Sequence, residues 1–126
     1  MLRLTKVEWA MCDDLIRDIR VELNDGTTSP MLVTSQVNGS LLLPPERIIR
    51  SLRIRQCEHG IYAIQFIDAQ RQIIAEILGA DKGYWIFWEL SVDEEIIGIQ
   101  TERKLNVGTS IGFITYKKGS LQQQIH

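Results

Sequence analysis

The sequence of 126 residues fits one domain, and its apolar fraction of 44% and charged fraction of 24% are those of an ordinary globular protein. The formal net charge of −2 argues against a chain-wide basic field that would attract nucleic acid or an anionic lipid surface. Apolar runs are short and interrupted by charges, and the first residues lack the apolar core of a signal peptide, which favours a cytoplasmic protein without membrane insertion.

The first strand signal is an alternation of apolar and polar residues. In "IRDIRVEL", Ile19, Val21 and Leu23 fall on one side of an extended chain, and the residues between them are charged. The preceding "AMCDDLIRDI" would also allow two helical turns, but the alternation favours a strand. Asn24-Asp25-Gly26 then predicts a sharp turn, because Asp and Gly tolerate a positive φ.

A hairpin is predicted next, over "MLVTSQVNGSLLLPP". Asn38-Gly39 suits a two-residue type I′ turn, in which both central residues take a positive φ. Pro44-Pro45 is expected to end the second strand, because proline has no N–H to donate to a strand ladder.

The segment "RIIRSLRIRQ" predicts a further strand with a basic face. Leu52 and Ile54 lie on one side, and Arg53 and Arg55 share the other side. Such a stripe suits an anion or a protein partner, and it suits equally a solvated face that discourages edge-to-edge aggregation. No aromatic residues are interleaved with the arginines, which argues against a nucleic-acid interface.

Strand signals fill the rest of the chain. The segment "IDAQRQIIAEIL" is the best helical alternative, because it combines apolar residues with Ala, Gln, Arg and Glu. About nine or ten short strands, with turns every 8 to 12 residues, predict an all-β domain that is a sandwich, a barrel or a prism. We expect this single domain to span residues 1–119, followed by a flexible tail over 120–126.

Similar segments recur along the chain at a spacing of about 45 to 48 residues. "DIRVEL", "AIQFID" and "SIGFIT" each carry an Ile, one intervening residue and then a large apolar residue. "PPERIIRSLRI" and "VDEEIIGIQ" also correspond, since each has an acidic turn followed by two isoleucines. The pattern indicates two long units and a shorter third one, although Ile-rich strands also resemble one another by chance.

The segment from "GIYAIQFID" to "SIGFITY" resembles the repeat of jacalin-related lectins. The matching pieces are Glu95-Ile96-Ile97-Gly98-Ile99 and Ser110-Ile111-Gly112-Phe113-Ile114-Thr115. The resemblance implies a β-prism, with three antiparallel sheets around a pseudo-threefold axis, and a β-sandwich is the alternative. The sugar loop of that family has the form Gly-x-x-x-Asp, whereas the runs from Gly108 and from Gly112 do not end in aspartate.

The sequence does not predict an enzyme, a metal site or a cofactor. The histidines are His59, in a turn, and His126, the last residue. Cys57 and His59 would share a strand face, but no second Cys/His cluster completes a metal site. The acidic run Asp93-Glu94-Glu95 is expected to be solvated. Cys12 and Cys57 are expected to be buried free thiols.

The strand "YWIFWEL" is the most informative candidate site, because both of its faces are aromatic. Tyr84 and Trp88 fall on one face, and Trp85 and Phe87 on the other. One face should belong to the core, while the other is covered by a neighbour or exposed as a binding surface. Beside it, Asp81 lies in a polar loop that could accept hydrogen bonds from sugar hydroxyls.

Two functions are compatible with these features. The first is a non-enzymatic interaction module, a small structural or docking subunit of a larger assembly on a lectin-like fold. The second is a carbohydrate-binding, jacalin-like lectin. The partner is accordingly a protein or a glycan, and the sequence is also compatible with a homo-oligomer. The residues proposed to bind it are Asp81, Tyr84, Trp85, Phe87, Trp88, Arg53 and Arg55.

Overall fold

The computed structural model describes residues 3–28, 37–58, 60–104, 108–117 and 123–125, and their side chains as far as residue 99. This part of the chain is all β, as predicted. Its ten strands are β1 (Leu4–Cys12), β2 (Leu15–Leu23), β3 (Gly39–Leu42), β4 (Ile49–Cys57), β5 (Gly60–Asp68), β6 (Ile73–Leu78), β7 (Tyr84–Glu89), β8 (Glu94–Lys104), β9 (Gly108–Lys117) and β10 (Gln123–Ile125).

Both helical alternatives are wrong, because the segments concerned form strands. Leu15 to Leu23 pair with β1 as β2, and Ile73 to Leu78 pair with β5 as β6. The described residues also contain no helix long and apolar enough to cross a membrane. Gln123–Ile125, within the segment predicted to be a flexible tail, pair with β9 as β10.

The strands pair antiparallel throughout the described residues. In the larger sheet the order is β3-β1-β2-β5-β4-β7, with β6 also pairing with β5. Strands β4, β5 and β6 follow one another as hairpins, and β7 returns beside β4. This order, β7-β4-β5-β6, is that of a Greek key.

A second sheet, in the order β10-β9-β8, packs against the first. Strand β8 lies against β1, β2 and β4, while β9 lies against β5. The apolar residues between the sheets form one core, which contains Leu4, Val7, Ile16, Ile19, Val21, Leu23, Leu43, Leu52, Ile54, Ile61, Ile64, Phe66, Ile77, Leu90, Ile96 and Ile99. The inner sides predicted for β2 and β4 are confirmed, because their members are in this core, but Asp18, Ser51 and Arg55 on the other sides are buried as well.

Strand β5 is buried along its whole length. One of its edges pairs with β4. Its other edge is divided, because Ile61 pairs with Ile16 of β2, whereas the residues from Ala63 to Ile67 pair with β6. The two halves of the large sheet are therefore joined through β5.

Gly79 closes the junction between β2, β5 and β6. Its N–H donates to the Tyr62 carbonyl at 2.7 Å, and the N–H of Ala80 donates to the Asp14 carbonyl at 3.4 Å. A Cβ atom at Gly79 would stand 2.8 Å from the Tyr62 oxygen and would overlap the Asp14 oxygen. A side chain at this position therefore cannot be accommodated without backbone movement.

Of the two predicted turns, one is confirmed and one is wrong. Gly26 has a φ of 88°, and its N–H donates to the Leu23 carbonyl at 3.0 Å. In contrast, neither Asn38 nor Gly39 has a positive φ, so they do not form a type I′ turn. Gly39 instead pairs with Trp9 of β1, and a Cβ atom there would lie 2.5 Å from the indole ring. Residues 29–36, the other predicted strand of this hairpin, lie outside the described residues.

Two acidic residues expected to be solvated are buried. The Ser91 N–H donates to Glu94 Oε1 at 3.0 Å, and the Arg3 guanidinium lies 3.7 Å from Glu95 Oε1. Both carboxylates begin β8, where it packs on the first sheet. Asp93 is exposed, as expected. Glu94 and Glu95 are buried because they contact Ser91 and Arg3, and the sequence alone does not show that these residues lie beside them.

Candidate functional site

The pairing of β4 with β7 brings the predicted arginines and aromatic residues together. Arg53 is opposite Phe87, and Arg55 is opposite Trp85. Directly opposed residues of an antiparallel pair point to the same side of the sheet, so these four side chains share one surface. We call Arg53, Arg55, Trp85 and Phe87 the aromatic–arginine face.

The other side of β7 belongs to the core. Ile86 and Trp88 are half-buried and pack against the core cluster. Trp88 therefore does not join the aromatic–arginine face, although the sequence places it among the candidates. Tyr84, at the start of the strand, lies on the same side of β7 as Trp88 but is 59% exposed. The sequence could not assign the inner face because both faces of β7 carry aromatic residues.

Two guanidinium groups stack on Trp85. The Cζ atom of Arg53 lies 4.5 Å from the ring centroid, and that of Arg55 lies 5.1 Å from it. The indole ring attracts these cations through its quadrupole and also covers their apolar stems. The Trp85 ring thereby links the two charged side chains of β4 to β7, the last strand in the sheet order.

The two arginines differ in their other contacts. Arg55 is 9% exposed, and it donates to Asp81 Oδ1 at 3.0 Å and to the Ala80 carbonyl at 2.8 Å. Within the described part of the chain, the guanidinium of Arg53 has no hydrogen bond or ion pair. Asp81, predicted as a sugar-loop residue, instead anchors Arg55, and its side chain is 99% exposed. Arg53 is thus the cation of this face that can accept a new partner.

The exposure of Asp81 predicts a small energetic contribution from its ion pair. An Asp81→Asn variant is expected to lower the free energy of unfolding by less than about 1 kcal/mol, because water screens the charge. Arg55→Ala should cost more, since it also removes the bond to Ala80 and the stacking on Trp85. Urea denaturation of both variants measures the difference; equal losses would contradict this account.

A groove of about 600 Å³ adjoins the aromatic–arginine face. Its walls include the turn between β5 and β6 and the turn after β7. Its lining consists of Arg50, Ser51, Arg53, Ile67, Asp68, Ala69, Arg71, Ile73, Phe87, Glu89, Leu90 and Val92. Ile73 is 47% exposed and Val92 is 84% exposed, so the walls are apolar as well as charged.

Several charges of this groove are occupied by contacts within the chain. The Asp68 carboxylate accepts hydrogen bonds from the N–H groups of Gln70 and Gln72, both at 2.9 Å, and lies 3.4 Å from Arg47. Arg50 donates to the backbone carbonyls of Ser91, before β8, and of Glu94, the first residue of β8. The side chains of Arg53, Arg71 and Glu89 form no hydrogen bond or ion pair within the described residues.

The sequence did not identify this groove. Arg71 and Ile73 lie together where β6 begins, whereas Val92 follows β7 and is distant from them along the chain. Only the registers of β5 with β6 and of β4 with β7 group them. The exposed apolar residues in "RQII" and "LSV" were the available signal, and single exposed apolar residues are common on protein surfaces.

The thiols have no catalytic arrangement in the described structure. Cys12 and Cys57 are both free, as predicted, but Cys12 is exposed and Cys57 is half-buried rather than both being buried. The Cys57 Sγ donates to the Tyr62 hydroxyl at 3.5 Å, and this contact, together with burial, raises the pKa of Tyr62. His59, the other member of the considered pair, lies outside the described residues.

The comparisons with known proteins do not assign the chain to a family. No model of a known protein family matches the sequence, and no curated protein is significantly similar to it.

Proposed function

We propose that the protein is a non-enzymatic interaction module, a small docking subunit of a larger assembly built on a β-prism. The observation that carries the proposal is the aromatic–arginine face. It presents Phe87, 58% exposed, beside Trp85 and the unpaired guanidinium of Arg53. Exposed aromatic residues adjoining an arginine are typical of the residues that dominate binding energy at protein interfaces.

The succession of hairpins along the chain supports the prism, although the described strands join into two sheets and not three. Three hairpins, β1–β2, β4–β5 and β8–β9, follow one another along the chain. The recurring isoleucines Ile19, Ile64 and Ile111 each lie in the second strand of a hairpin. A β-sandwich formed by the two sheets is the alternative arrangement.

The acidic and nucleophilic side chains support a non-enzymatic role. Glu94 binds the Ser91 N–H, Asp68 binds two backbone N–H groups, and Cys57 contacts Tyr62. These groups hold turns and strands together. Paired carboxylates that perform acid–base catalysis need environments that separate their pKa values and an approach for substrate.

The partner that fits the face is an acidic protein segment with apolar side chains. Arg53 and Arg71 offer positive charge that no described carboxylate neutralises, and Phe87, Ile73 and Val92 offer apolar contact along the groove. Glu89 also lines this groove and would repel an acidic group placed at its end. We therefore place the acidic group of the partner near Arg53, on the Trp85 side.

A selection of displayed random peptides on the purified chain tests this proposal. We expect enriched peptides to combine acidic and apolar residues, and to bind a Trp85→Ala/Phe87→Ala variant at least about 10-fold more weakly. Arg53→Ala should reduce both the affinity and its dependence on salt. Leu42→Ala is the matched control, because Leu42 is 76% exposed on β3 and outside the proposed surface. Equal binding by all four proteins would contradict the proposal.

The second candidate function is a lectin. The Asp81 carboxylate, bound to Arg55, and the Phe87 ring, opposite Arg53, are both exposed and could contact a sugar. The stacking of Arg53 on Trp85 makes this candidate weaker, since a sugar ring would compete for the indole. A glycan array with the same Trp85→Ala/Phe87→Ala variant distinguishes the two functions. Saturable glycan binding that the variant loses would favour the lectin.

A further inference from the structure

No described strand pairs with the outer edge of β7. Strand β7 is the last in the sheet order, and it pairs with β4 alone among the described strands. Half of the backbone N–H and C=O groups of such a strand point away from its single neighbour. Tyr84 and Phe87 are more than half exposed, which agrees with an uncovered edge.

This edge lacks the features that usually prevent pairing between molecules. Natural edge strands carry prolines, lysines or bulges. Strand β7 reads Tyr-Trp-Ile-Phe-Trp-Glu, and its register with β4 is regular along all six residues. By contrast, β6, which pairs with β5 only, has Glu76 in its interior and a register shift beside Ile73.

A second copy of β7 is complementary to the first in one antiparallel register. With Phe87 opposite Phe87 of the second copy, Trp85 stands opposite Glu89 of that copy. Arg53 stacks on Trp85, so its guanidinium lies beside this position. Arg53 belongs to β4 and stands two strand spacings, about 10 Å, from the second copy's β7, a gap that the long Arg53 and Glu89 side chains span together. Because the arrangement is two-fold symmetric, the same ion pair forms twice.

The remaining pairs of this register are also compatible. On the inner side, Ile86 stands opposite Trp88 of the second copy, so apolar side chains meet apolar side chains. In the neighbouring symmetric register, with Ile86 opposite itself, Trp85 stands opposite Phe87 and Glu89 loses its cationic neighbour. The charges therefore distinguish the two registers.

We propose that two copies of this chain pair antiparallel through their β7 edges, with Phe87 at the two-fold axis and Arg53 of each copy bound to Glu89 of the other. The strands β6-β5-β4-β7 of one copy and β7-β4-β5-β6 of the other then form one continuous sheet across the two-fold axis. The two aromatic–arginine faces lie side by side on the same surface of the joined sheet. This inference concerns the strand edge and does not depend on the proposed docking function.

Charge exchange tests the ion pair. Analytical ultracentrifugation of the full chain, from micromolar to millimolar concentration, should give a monomer–dimer equilibrium. Arg53→Glu and Glu89→Arg, each alone, are expected to weaken the dimer about 10-fold, because like charges then face each other twice. The double variant Arg53→Glu/Glu89→Arg should recover most of the loss. Thermal unfolding of each variant checks that the fold is retained.

Cross-linking tests the register independently. In a Cys12→Ser background, Phe87→Cys places two thiols directly opposite each other at a Cα separation of about 4.5 to 5.5 Å, which a disulfide can span. Mild oxidation should yield a covalent dimer. Tyr84→Cys is the matched control on the same strand, because its opposite residue is Leu90 of the second copy, and it should stay uncross-linked.

Three results would overturn the inference. The chain could remain a monomer at millimolar concentration, or the dimer affinity could be unchanged by both charge substitutions. Cross-linking of Tyr84→Cys could also be as efficient as that of Phe87→Cys. The peptide selection on the aromatic–arginine face is scored separately. A monomeric chain that still loses peptide binding in the Trp85→Ala/Phe87→Ala variant would reject the dimer and leave the docking function standing.

Discussion

A Gly79→Ala variant is expected to lose about 3 kcal/mol of unfolding free energy. The added methyl group would meet the backbone oxygens of Asp14 and Tyr62, and neither can rotate away as a side chain would. Relief requires moving either the turn after β1 or strand β5. Moving β5 would disturb its pairing on both edges. Urea denaturation followed by circular dichroism measures the loss.

Gly26→Ala is the control for this variant. Gly26 has a φ of 88°, but no atom lies within 4 Å of the position of an added Cβ. Its replacement therefore costs only the positive φ, about 1 kcal/mol. If the two variants lost equal stability, the close packing at Gly79 would not be the cause.

Phe66→Ala is expected to lower the unfolding free energy by about 4 kcal/mol. Phe66 is fully buried in β5, where it is paired with Leu52 on one side and Ala75 on the other. Removing its ring leaves a cavity between strands that are fixed by their hydrogen bonds, so the site cannot collapse. The loss is measured by urea denaturation.

Phe87→Ala is the matched control, since it removes the same ring from the exposed side of the same sheet. Phe87 is 58% exposed, and its replacement should change the stability of the chain by no more than about 0.5 kcal/mol. A large loss at Phe87 would mean that the ring is packed in the protein, which would remove the basis for a binding surface.

The sequence predicted the class of the fold and the inner sides of several strands. The alternation around Ile19 and around Leu52 is a local signal, and a strand that buries one face displays it directly. Strand β5 is different, since it is buried on both sides and has no such alternation. The partner of each strand depends on contacts between distant segments, so the divided edge of β5 could not be predicted.

The candidate site was predicted in part. The shared face of Arg53 and Arg55 follows from a spacing of two residues, and it is confirmed by their register with β7. That Trp88 faces inward, and that the Asp81 carboxylate binds Arg55, depend on which strand lies beside which. Asn38-Gly39 failed as a turn for the same reason, because Gly39 is held against the Trp9 ring of a neighbouring strand.

The divided edge of β5 also determines where the molecule can open. The two halves of the large sheet meet where Ile16 pairs with Ile61, and both residues are fully buried, so the halves cannot separate without disrupting the core. Among the described strands, β7 pairs with β4 alone, and local opening there leaves β5 intact. Segments with few buried contacts have the lowest free energy of opening. The surface that we propose for binding can therefore adjust to a partner independently of the cooperative unit that keeps the chain folded.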